Sequence, residues 1–363
     1  MLLGESPRLG ERTVRPEARR TKRTFGQKLV KRLILAARIA LFFVLYLGWP
    51  LFRRWIVPDL IFLVYGTVRD QRAYWPSWAT RFFRAAFPIG LLRYQNYWGF
   101  VATTPYTAEE LAEHPERVSA LFNDCLREFP NARTISLAGR LPSLARRSGA
   151  EIVAPYVEGT KGTRYAMLSA ARALAEKSGR PPGELCIAVP GGAGFIGSLV
   201  ASDLASEFRQ VIALDPRYDP SSNEPDSGKP LPAAVSATHD PVVLRTADLS
   251  VILTAQGDDI ENSVPHFRRG ALVADDTHPP IHPPLRRRLN EQGVDLWKAT
   301  MADGHLVMLP RLPNFRRDSI PGCLLEALVV LLEGRRVLED QQRFNEAADR
   351  HGFRAKLIRH PED

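Results

Sequence analysis

The sequence predicts an α/β fold preceded by a helical segment at a membrane. A glycine-rich turn lies between a β-prone run and an apolar helical pattern at 185–200, and further β-prone runs follow it. An apolar run of twenty residues near the N-terminus indicates the helical segment. With 363 residues and 45% hydrophobic side chains, the chain is long enough for about two domains with a sizeable core.

The first 32 residues form a basic arm that we expect to be disordered. They carry ten Lys or Arg and three Glu, a net charge of +7 out of +9 for the whole chain. A basic arm of this kind binds nucleic acid or anionic lipid. The apolar sequence that follows favours lipid, so we expect no nucleic-acid partner.

Residues 33–52, LILAARIALFFVLYLGWPLF, hold a single charge and are long enough to cross a bilayer. A second apolar run, 55–66, is interrupted by a proline and an aspartate. Basic residues and tryptophans flank both runs, as they do at membrane interfaces. We therefore expect residues 33–100 to form a membrane-associated helical segment on the cytoplasmic face, either monotopic or inserted as a hairpin. Deletion of residues 1–70 would then leave a folded protein. The alternative is a buried amphipathic helix of a soluble fold.

The few cysteines and histidines predict no metal site. Cys125, Cys186 and Cys323 are widely spaced, so they form neither a disulfide framework nor a metal-binding pair. His278 and His282 share a loop that has no Cys or acid at ligand spacing. A reducing compartment follows from the same cysteine usage.

The turn PGGAGFIGS (190–198) has the spacing of a dinucleotide-binding fingerprint. Its first glycine makes a tight turn, the second admits a pyrophosphate to the backbone, and the third lets the helix pack on the strand. The helix N-terminus supplies free N–H groups to the phosphates. The pattern predicts a Rossmann-type domain, and the alternative is a glycine-rich turn without a ligand. The cofactor-binding residues expected here are Gly191, Gly192, Gly194, Phe195, Ile196 and Gly197.

Later strand ends extend the predicted cofactor site. The second strand ends in Asp215, 18 residues after the last glycine, where a carboxylate binds the ribose 2′-hydroxyl. Asp215 favours NADH, whereas Arg217 suits the 2′-phosphate of NADPH. The expected cofactor is therefore NAD(P)H, with the choice open. Thr254 and Ala255, at the end of the next strand, are expected to line the same site.

The stretches upstream of the fingerprint predict a smaller α/β lobe. TISLAGRLPSL (134–144) indicates a strand and a glycine turn, and 152–179 indicates a strand, a polar turn and a long helix. The expected parts are the basic arm (1–32), the membrane segment (33–100), a substrate and catalytic lobe (101–180), the NAD(P)-binding domain (181–318) and C-terminal helices that pack back on the lobe (319–363).

Several motifs in this order resemble the long-chain acyl-(acyl carrier protein) reductases of the aldehyde-forming cyanobacterial type. A substrate lobe before a late dinucleotide domain is also the order of shikimate-dehydrogenase-like and glutamyl-tRNA-reductase-like enzymes. The resemblance covers about residues 130–355. The matching stretches are SLAGRLPS, EGTKGTRYA, PGGAGFIGS, LVADDTHPP, GCLLEALVVLLEG and ADRHGFR.

The resemblance implies a nucleophile at Cys323, with Glu326 as the acid of the family's C-x-x-E helix. It also implies that Thr160, Lys161 and Thr163 form the turn of the substrate lobe. The implied substrate is an acyl thioester on acyl carrier protein or CoA, and the implied product is a fatty aldehyde. This chain departs from the family in its Asp-Pro-Arg after the second strand and in its membrane arm.

The stretch SIPGCLLEALVVLLEG (319–334) predicts a buried apolar helix with Cys323 in its first turn. By residue type alone, a thiol in such a helix is a core residue. Its position near the positive end of the helix dipole favours a lowered thiol pKa and a nucleophile. Cys125 and Cys186 are expected to lie in the core.

The leading prediction is a membrane-associated enzyme that reduces a long-chain acyl thioester to a fatty aldehyde with NAD(P)H, through a cysteine thioester. One alternative is an NAD(P)-dependent dehydrogenase of a small hydroxy or amino acid, with a structural Cys323. Another, of a different class, is a membrane-bound adaptor that senses a nucleotide without chemistry.

Overall fold

The computed structural model describes most of the chain beyond the N-terminal arm. The described residues are 36, 40, 46–68, 86–218, 230–302, 305–309 and 319–359. The predicted basic arm and most of the apolar run at 33–52 lie outside them. Contacts divide the chain into two units, 1–45 and 46–363. Within the described ranges, no helix is both long and apolar enough to span a membrane.

The second unit alternates strands and helices through most of its length. Its described strands are β1 (Leu60–Gly66), β2 (Phe87–Tyr94), β3 (Tyr97–Thr107), β4 (Thr134–Leu137), β5 (Tyr156–Val157), β6 (Cys186–Pro190), β7 (Gln210–Leu214), β8 (Val235–Thr238), β9 (Leu249–Ile252), β10 (Leu272–Asp275), β11 (Asp295–Ala302), β12 (Leu306–Leu309) and β13 (Arg354–Ile358).

The helices connect these strands across the faces of two sheets. They are α1 (Ala108–Glu113), α2 (Arg117–Glu128), α3 (Leu141–Ser148), α4 (Thr160–Ser178), α5 (Phe195–Leu204), α6 (Pro283–Glu291), α7 (Gly322–Glu333) and α8 (Gln341–Arg350). Shorter 3₁₀ segments occupy Pro182–Glu184, Pro241–Arg245, Gly257–His266 and Arg335–Leu338.

The seven-stranded sheet has the order of a Rossmann domain. Its order is β13-β11-β10-β9-β6-β7-β8, with β6 to β11 parallel and β13 antiparallel at one edge. The order reverses at β6, which pairs with both β7 and β9. Open α/β sheets bind ligands at such a switch point, beyond the carboxyl ends of the strands. The strands expected at 185–190, 210–215, 247–255, 271–276 and 293–299 are all present in this sheet.

The six-stranded sheet forms the other lobe and begins earlier than expected. Its order is β12-β2-β3-β1-β4-β5, and β1 lies between β3 and β4, parallel to both. Leu60, Ile61, Phe62 and Leu63 of β1 are each at most 1% exposed. The expectation that residues 55–66 form a second membrane run is therefore wrong for β1, which is a central strand. A parallel strand buried on both faces is apolar at every position, so its sequence resembles a short membrane segment.

The same correction applies to residues 87–100. They form β2 and the start of β3, which pair antiparallel, rather than basic aromatic helix at a membrane. The first lobe therefore includes residues from 60 onward, not from 101. The first lobe also includes β12, which follows the Rossmann strands along the chain and pairs with β2.

Helices α4 and α7 lie between the two sheets and carry a shared core. Helix α7 packs against α4 and against β4 of the first sheet. Tyr165 on α4 is 2% exposed and its hydroxyl donates to the Phe353 carbonyl and to Asp349. The core of these helices also includes residues of β1, β6 and β9, so both lobes share one apolar interior. Burial of each large apolar side chain there contributes about 1.5–3 kcal/mol.

Candidate active site

The fingerprint turn joins β6 to α5 at the switch point of the Rossmann sheet. Gly191 has a φ of +89°, which favours glycine, and its N–H and that of Gly192 both donate to the Leu214 carbonyl. A Cβ on Gly197 would lie 2.0 Å from the Gly191 carbonyl oxygen. The helix can therefore approach the turn only because residue 197 has no side chain.

The turn leaves space for a phosphate at the start of α5. Gly194 caps the helix in an extended conformation, and a Cβ built on it would meet only the Gly191 oxygen at 3.1 Å and the Arg217 guanidinium at 3.6 Å. The N–H groups of Phe195 and Ile196 stand in the first turn, where a helix has no internal acceptors. Free N–H groups at a helix N-terminus bind anions, so these residues suit a dinucleotide pyrophosphate.

Asp215 follows β7 and lies against this turn. Its carboxylate accepts the Ala193 N–H at 3.2 Å and a pair of hydrogen bonds from the Arg217 side chain, both at 2.9 Å. Burial alone raises the pKa of Asp215, but the hydrogen bonds and charge of Arg217, with the Ala193 N–H, outweigh it and hold the pKa below its ordinary value. The two residues that sequence reasoning assigned to opposite cofactor preferences thus form one ion pair.

Thr254 and Ala255 follow β9, on the other side of the switch point. The Thr254 nitrogen is one of the atoms that a Cβ on Gly191 would contact, at 2.7 Å. The Thr254 hydroxyl donates to the Gln256 carbonyl at 2.8 Å. The structure therefore brings Thr254 next to the fingerprint turn, as the sequence predicts.

Cys323 lies in the first turn of α7, pressed against the turn before α4. A Cβ on Gly159, whose φ is +80°, would lie 2.5 Å from the Cys323 Cβ. The Ser136 hydroxyl of β4 donates to the Cys323 carbonyl at 2.9 Å. The side chain is half-buried, whereas Cys125 and Cys186 are at most 1% exposed. Cys323 is therefore the least buried of the three cysteine residues.

The predicted lowering of the Cys323 pKa is wrong. Burial raises the pKa of this thiol to about 12, and the negative charge of Asp276 adds to the rise. Backbone hydrogen bonding from Gly139 and Leu324 lowers the pKa, but not enough to offset burial. At neutral pH, Cys323 is therefore a protonated thiol that needs a base before it can act as a nucleophile.

Glu326 holds the N-terminus of α4 through both of its carboxylate oxygens. It is 3% exposed, and its two oxygens accept the N–H groups of Gly159, Lys161 and Gly162 at 3.0, 2.6 and 3.1 Å. Burial raises the pKa of Glu326, although the hydrogen bonds from these three N–H groups partly offset the rise. Both oxygens are engaged by backbone groups, which indicates a positioning role for Glu326, and the catalytic role expected from the resemblance stays a prediction.

The other residues of the predicted substrate turn, Thr160, Lys161 and Thr163, lie near the contact between α4 and α7. The Thr160 hydroxyl donates to Glu158 at 3.0 Å. A Cβ on Gly322 would lie 2.6 Å from the Thr163 Cα, so α4 and α7 touch backbone to backbone. Thr163 and the Lys161 N–H therefore lie at the contact between α4 and α7, whereas the Thr160 side chain bonds to Glu158 beside it.

Sequence reasoning missed two polar side chains near Cys323. Tyr65, at the end of β1, lies against the Gly139 turn, and its oxygen accepts the Arg140 N–H at 2.7 Å. Burial raises the pKa of Tyr65, and the charge of an ionised Cys323 adds to the rise. Asp276 directly follows β10. A signal was available for Asp276, because a carboxylate after a parallel strand lies at the ligand-binding edge of the sheet. Tyr65 had no such signal within an apolar run.

A groove of about 350 Å³ opens beside this helix contact. Its lining mixes apolar, basic and acidic side chains around the N-terminus of α4. The lining residues are Ile152, Tyr156, Val157, Glu158, Thr160, Lys161, Arg164, Phe195, Leu199, Glu326, Arg335 and Leu338.

No known family model and no curated protein matches the chain. Among solved structures it is similar to D-lactate dehydrogenase with NAD+ from Lactobacillus jensenii, at 12% identity and a TM-score of 0.30, over 66% of this chain and 78% of that one. It is also similar to shikimate 5-dehydrogenase from Listeria monocytogenes with shikimate and NAD, at 13% identity and a TM-score of 0.33, over 66% and 86%. A third is a dipicolinate synthase from Bacillus halodurans, at 13% identity and a TM-score of 0.32, over 59% and 70%. Likenesses at this level carry no conclusion about substrate or activity.

Proposed function

We propose that the protein is an NAD(P)H-dependent oxidoreductase that reduces a long-chain acyl thioester to an aldehyde through a thioester on Cys323. The observation that carries the proposal is the position of Cys323, a half-buried thiol in the first turn of α7, in the lobe that faces the Rossmann domain. Burial raises the pKa of its thiol, and backbone hydrogen bonding from Gly139 and Leu324 opposes that rise.

Support for the cofactor comes from the chain's own residues. The turn at Gly191, Gly194 and Gly197 leaves room for a pyrophosphate, and α5 offers its N-terminus to it. Asp215 and Arg217 stand beside the turn, where the ribose of a dinucleotide would lie. When bound, NAD(P)H supplies a hydride. Because Asp215 and Arg217 are paired, the choice between NADH and NADPH stays open.

The chemistry assigned to Cys323 has two parts. The sulfur attacks the acyl carbon of an acyl-CoA or acyl carrier thioester, and the carrier leaves as a thiol. After a hydride has been added to the acyl carbon, the carbon–sulfur bond breaks, which releases the aldehyde and regenerates the thiol. One proton enters from solvent in this second part. The apolar and basic lining of the groove beside α4 suits an acyl chain on a phosphate-bearing carrier arm.

The exposed apolar residues of the segment 46–57 support a location at a membrane surface, which we propose to be the cytoplasmic one. Leu47, Leu51 and Trp55 are 71%, 72% and 84% exposed, which is unusual for large apolar side chains so close together. An aldehyde with a long chain partitions into lipid, so an enzyme at the bilayer surface would release its product there. Anionic lipid is the partner that the basic arm at 1–32 suits.

A second candidate is a dehydrogenase of a small hydroxy or amino acid. The observation that favours it is the pKa of the Cys323 thiol, which burial raises to about 12 and which leaves little thiolate at neutral pH. In that enzyme Cys323 would be structural, and the same cleft would bind a small acid.

One experiment separates the two candidates. Purified protein is incubated with a long-chain acyl-CoA in the absence of reduced cofactor, and its intact mass and peptide map are measured. We expect the addition of one acyl group on the peptide of Cys323, and aldehyde on addition of NADH or NADPH. Cys323→Ser has nearly the same volume and should bind cofactor, but it should form no thioester that hydroxylamine cleaves and no aldehyde.

Cys186→Ser is the matched control, because Cys186 is buried within β6 and should affect stability alone. Normal aldehyde production by Cys323→Ser would exclude the thioester route. Turnover of small hydroxy acids by that variant would establish the second candidate.

A further inference from the structure

We propose that an uncovered part of the first sheet docks on the surface of an anionic bilayer, beside the segment 46–57. The inference rests on the proposed membrane location and adds a second lipid contact to it. This open face consists of Leu91 and Arg93 on β2, Trp98 on β3, and Val307 and Leu309 on β12.

The strand register places the side chains of the open face in two adjacent rows. Residues paired across neighbouring strands lie on the same face of a sheet, and so do residues two apart along one strand. The five side chains therefore form one contiguous surface. The cross-strand pairs are Leu309 with Leu91, Leu91 with Phe100, Val307 with Arg93, and Arg93 with Trp98.

The apolar members of the open face are exposed. Leu91, Trp98, Val307 and Leu309 are 55%, 39%, 47% and 60% exposed. An antiparallel sheet with one solvated face usually alternates apolar residues inside with polar residues outside. Here the outward positions are apolar as well, and a contiguous apolar surface of this kind marks a site of interaction.

The cover over this side of the sheet ends at β3. Phe100, in the same row as Leu91, is only 9% exposed because Trp49 packs on its ring, with the ring centroids 5.2 Å apart. Trp98 packs edge-to-face on the same ring at 5.7 Å. The open face is therefore continuous with the segment 46–57, whose apolar side chains are exposed as well.

The charge of this surface suits anionic lipid. The segment and the three strands carry three arginines and no acidic residue over 46–57, 87–107 and 306–309. The exposed Arg54 and Arg93 side chains meet no carboxylate among the described residues. Arginines among apolar and tryptophan side chains are typical of protein surfaces that bind anionic membranes.

Two carboxylates next to these segments are already paired. Glu128 pairs with Arg53 at 2.6 Å. Asp59, which accepts the Trp98 N–H, pairs with Arg133 at 2.8 Å. Neither carboxylate therefore compensates the charges of the exposed arginines.

The other candidate occupant is a second copy of the chain, which the charges disfavour. In a two-fold dimer the same patch faces itself, so the arginines of the two copies would meet across it. Juxtaposed like charges weaken an interface between proteins, whereas an anionic bilayer attracts the same arginines.

Spin labels on the full chain test the contact. Leu309→Cys carries a nitroxide in a Cys323→Ser background, where the remaining cysteines are buried. Val153→Cys is the matched control, because Val153 is 58% exposed and precedes β5, at the opposite edge of the same sheet. The labelled chains are bound to vesicles of phosphatidylglycerol and phosphatidylcholine in equal parts. Collisions of each nitroxide with oxygen, which dissolves in lipid, and with a water-soluble nickel complex are measured.

Vesicle binding should move the label at position 309 out of water. Its ratio of oxygen to nickel collisions should rise on the order of tenfold, because the bilayer surface covers the open face. The label at position 153 should keep its ratio.

Vesicle flotation gives a second readout. Leu91→Ser combined with Leu309→Ser should weaken binding to the mixed vesicles about tenfold, and Val153→Ser should leave it unchanged. Arg93→Gln should weaken binding to the mixed vesicles about fivefold and leave binding to phosphatidylcholine alone unchanged.

Each outcome decides a different question. Nickel collisions that persist at position 309 while the chain floats would overturn the open face as a lipid contact and leave the membrane location to the segment 46–57. Broadening of the spectrum by a second nitroxide would overturn lipid as the occupant in favour of a second copy. A full chain that does not float would overturn both the open face and the membrane location, whereas the thioester chemistry stands or falls with the acylation of Cys323.

Discussion

Two glycines of the fingerprint turn serve different purposes, although they are three residues apart. A Cβ on Gly194 would meet the Gly191 carbonyl oxygen at 3.1 Å, whereas one on Gly197 would meet it at 2.0 Å. The first distance is tight and the second is impossible without moving the helix. A side chain at position 194 would therefore mainly obstruct the ligand, whereas one at position 197 would disrupt the packing of the helix on the turn.

This difference predicts opposite results for two variants. Gly194→Val should unfold cooperatively near the natural temperature and lose NAD(P) binding, because its side chain fills the phosphate cradle. Gly197→Ala should lower the free energy of unfolding by about 1–3 kcal/mol, as overpacking does, and it should weaken the cofactor only through that loss. Calorimetry and titration with NADH and NADPH measure both quantities. A Gly194→Val protein that binds either cofactor normally would contradict the assignment of the cradle.

At the scale of elements, the contact between α4 and α7 depends on one carboxylate. Glu326 of α7 accepts three N–H groups at the start of α4, and the two helices touch at Gly162 and Gly322, where a Cβ on Gly162 would lie 2.1 Å from the Gly322 oxygen. Cys323 is held at this contact, so its position follows from the same hydrogen bonds. Cys323 and Glu326 are three residues apart on α7, so both lie on the face that meets the start of α4.

Loss of this carboxylate should be costly. Glu326→Ala would leave three N–H groups of α4 without acceptors, two of them buried, and should lower the free energy of unfolding by about 2–4 kcal/mol. Thermal and denaturant unfolding measure the change. Glu333→Ala is the control on the same helix, since its ion pairs with Arg350 and His351 lie at the surface and contribute about 0–1 kcal/mol. Equal losses in both variants would show that Glu326 is not the anchor of α4.

The exposed apolar residues of the segment 46–57 predict binding to a membrane surface. Replacement of Leu51 and Trp55 by Ser should reduce binding to vesicles that contain anionic lipid by at least about tenfold, since each apolar side chain buried in lipid contributes about 1.5–3 kcal/mol. Vesicle flotation measures the bound fraction. Val242→Ser is the control, because Val242 is also exposed, at 43%, but lies in the Rossmann domain. Unchanged flotation of the double variant would place the membrane contact elsewhere or nowhere.

At the scale of the whole molecule, the central position of β1 decides where the folded unit begins. Strand β1 pairs with β3 on one side and with β4 on the other, so both halves of the first sheet depend on it. Its four leading residues are essentially inaccessible, and four such side chains at about 1.5–3 kcal/mol each amount to about 6–12 kcal/mol. That sum is comparable with the whole stability of a typical domain.

Two truncations test this conclusion. A chain that starts at residue 46 should unfold cooperatively and bind NAD(P), because residues 46–363 form one unit and Trp49 packs on Phe100 and Phe129. A chain that starts at residue 71 lacks β1 and should be unfolded or aggregated, contrary to the expectation from the sequence. Circular dichroism and size-exclusion chromatography distinguish the two. A soluble, cooperative protein from residue 71 onward would contradict the central role of β1.

The sequence by itself determined the Rossmann half of the fold. There each strand, turn and helix follows the last along the chain, so local patterns such as PGGAGFIGS and the run before Asp215 indicate the elements and their order. The same local reasoning identified Cys323 as the cysteine at a helix start.

Only the tertiary structure decided the rest, because it depends on contacts between distant residues. An apolar run such as Leu60–Gly66 is compatible with a membrane or a sheet until its pairing with Tyr97–Thr107 and Thr134–Leu137 is known. Glu326 is an anchor only because α4 begins beside it, and the thiol pKa of Cys323 is raised because the fold buries the thiol. Desolvation and contacts between residues distant in the sequence set these properties, and neither can be read from the local sequence.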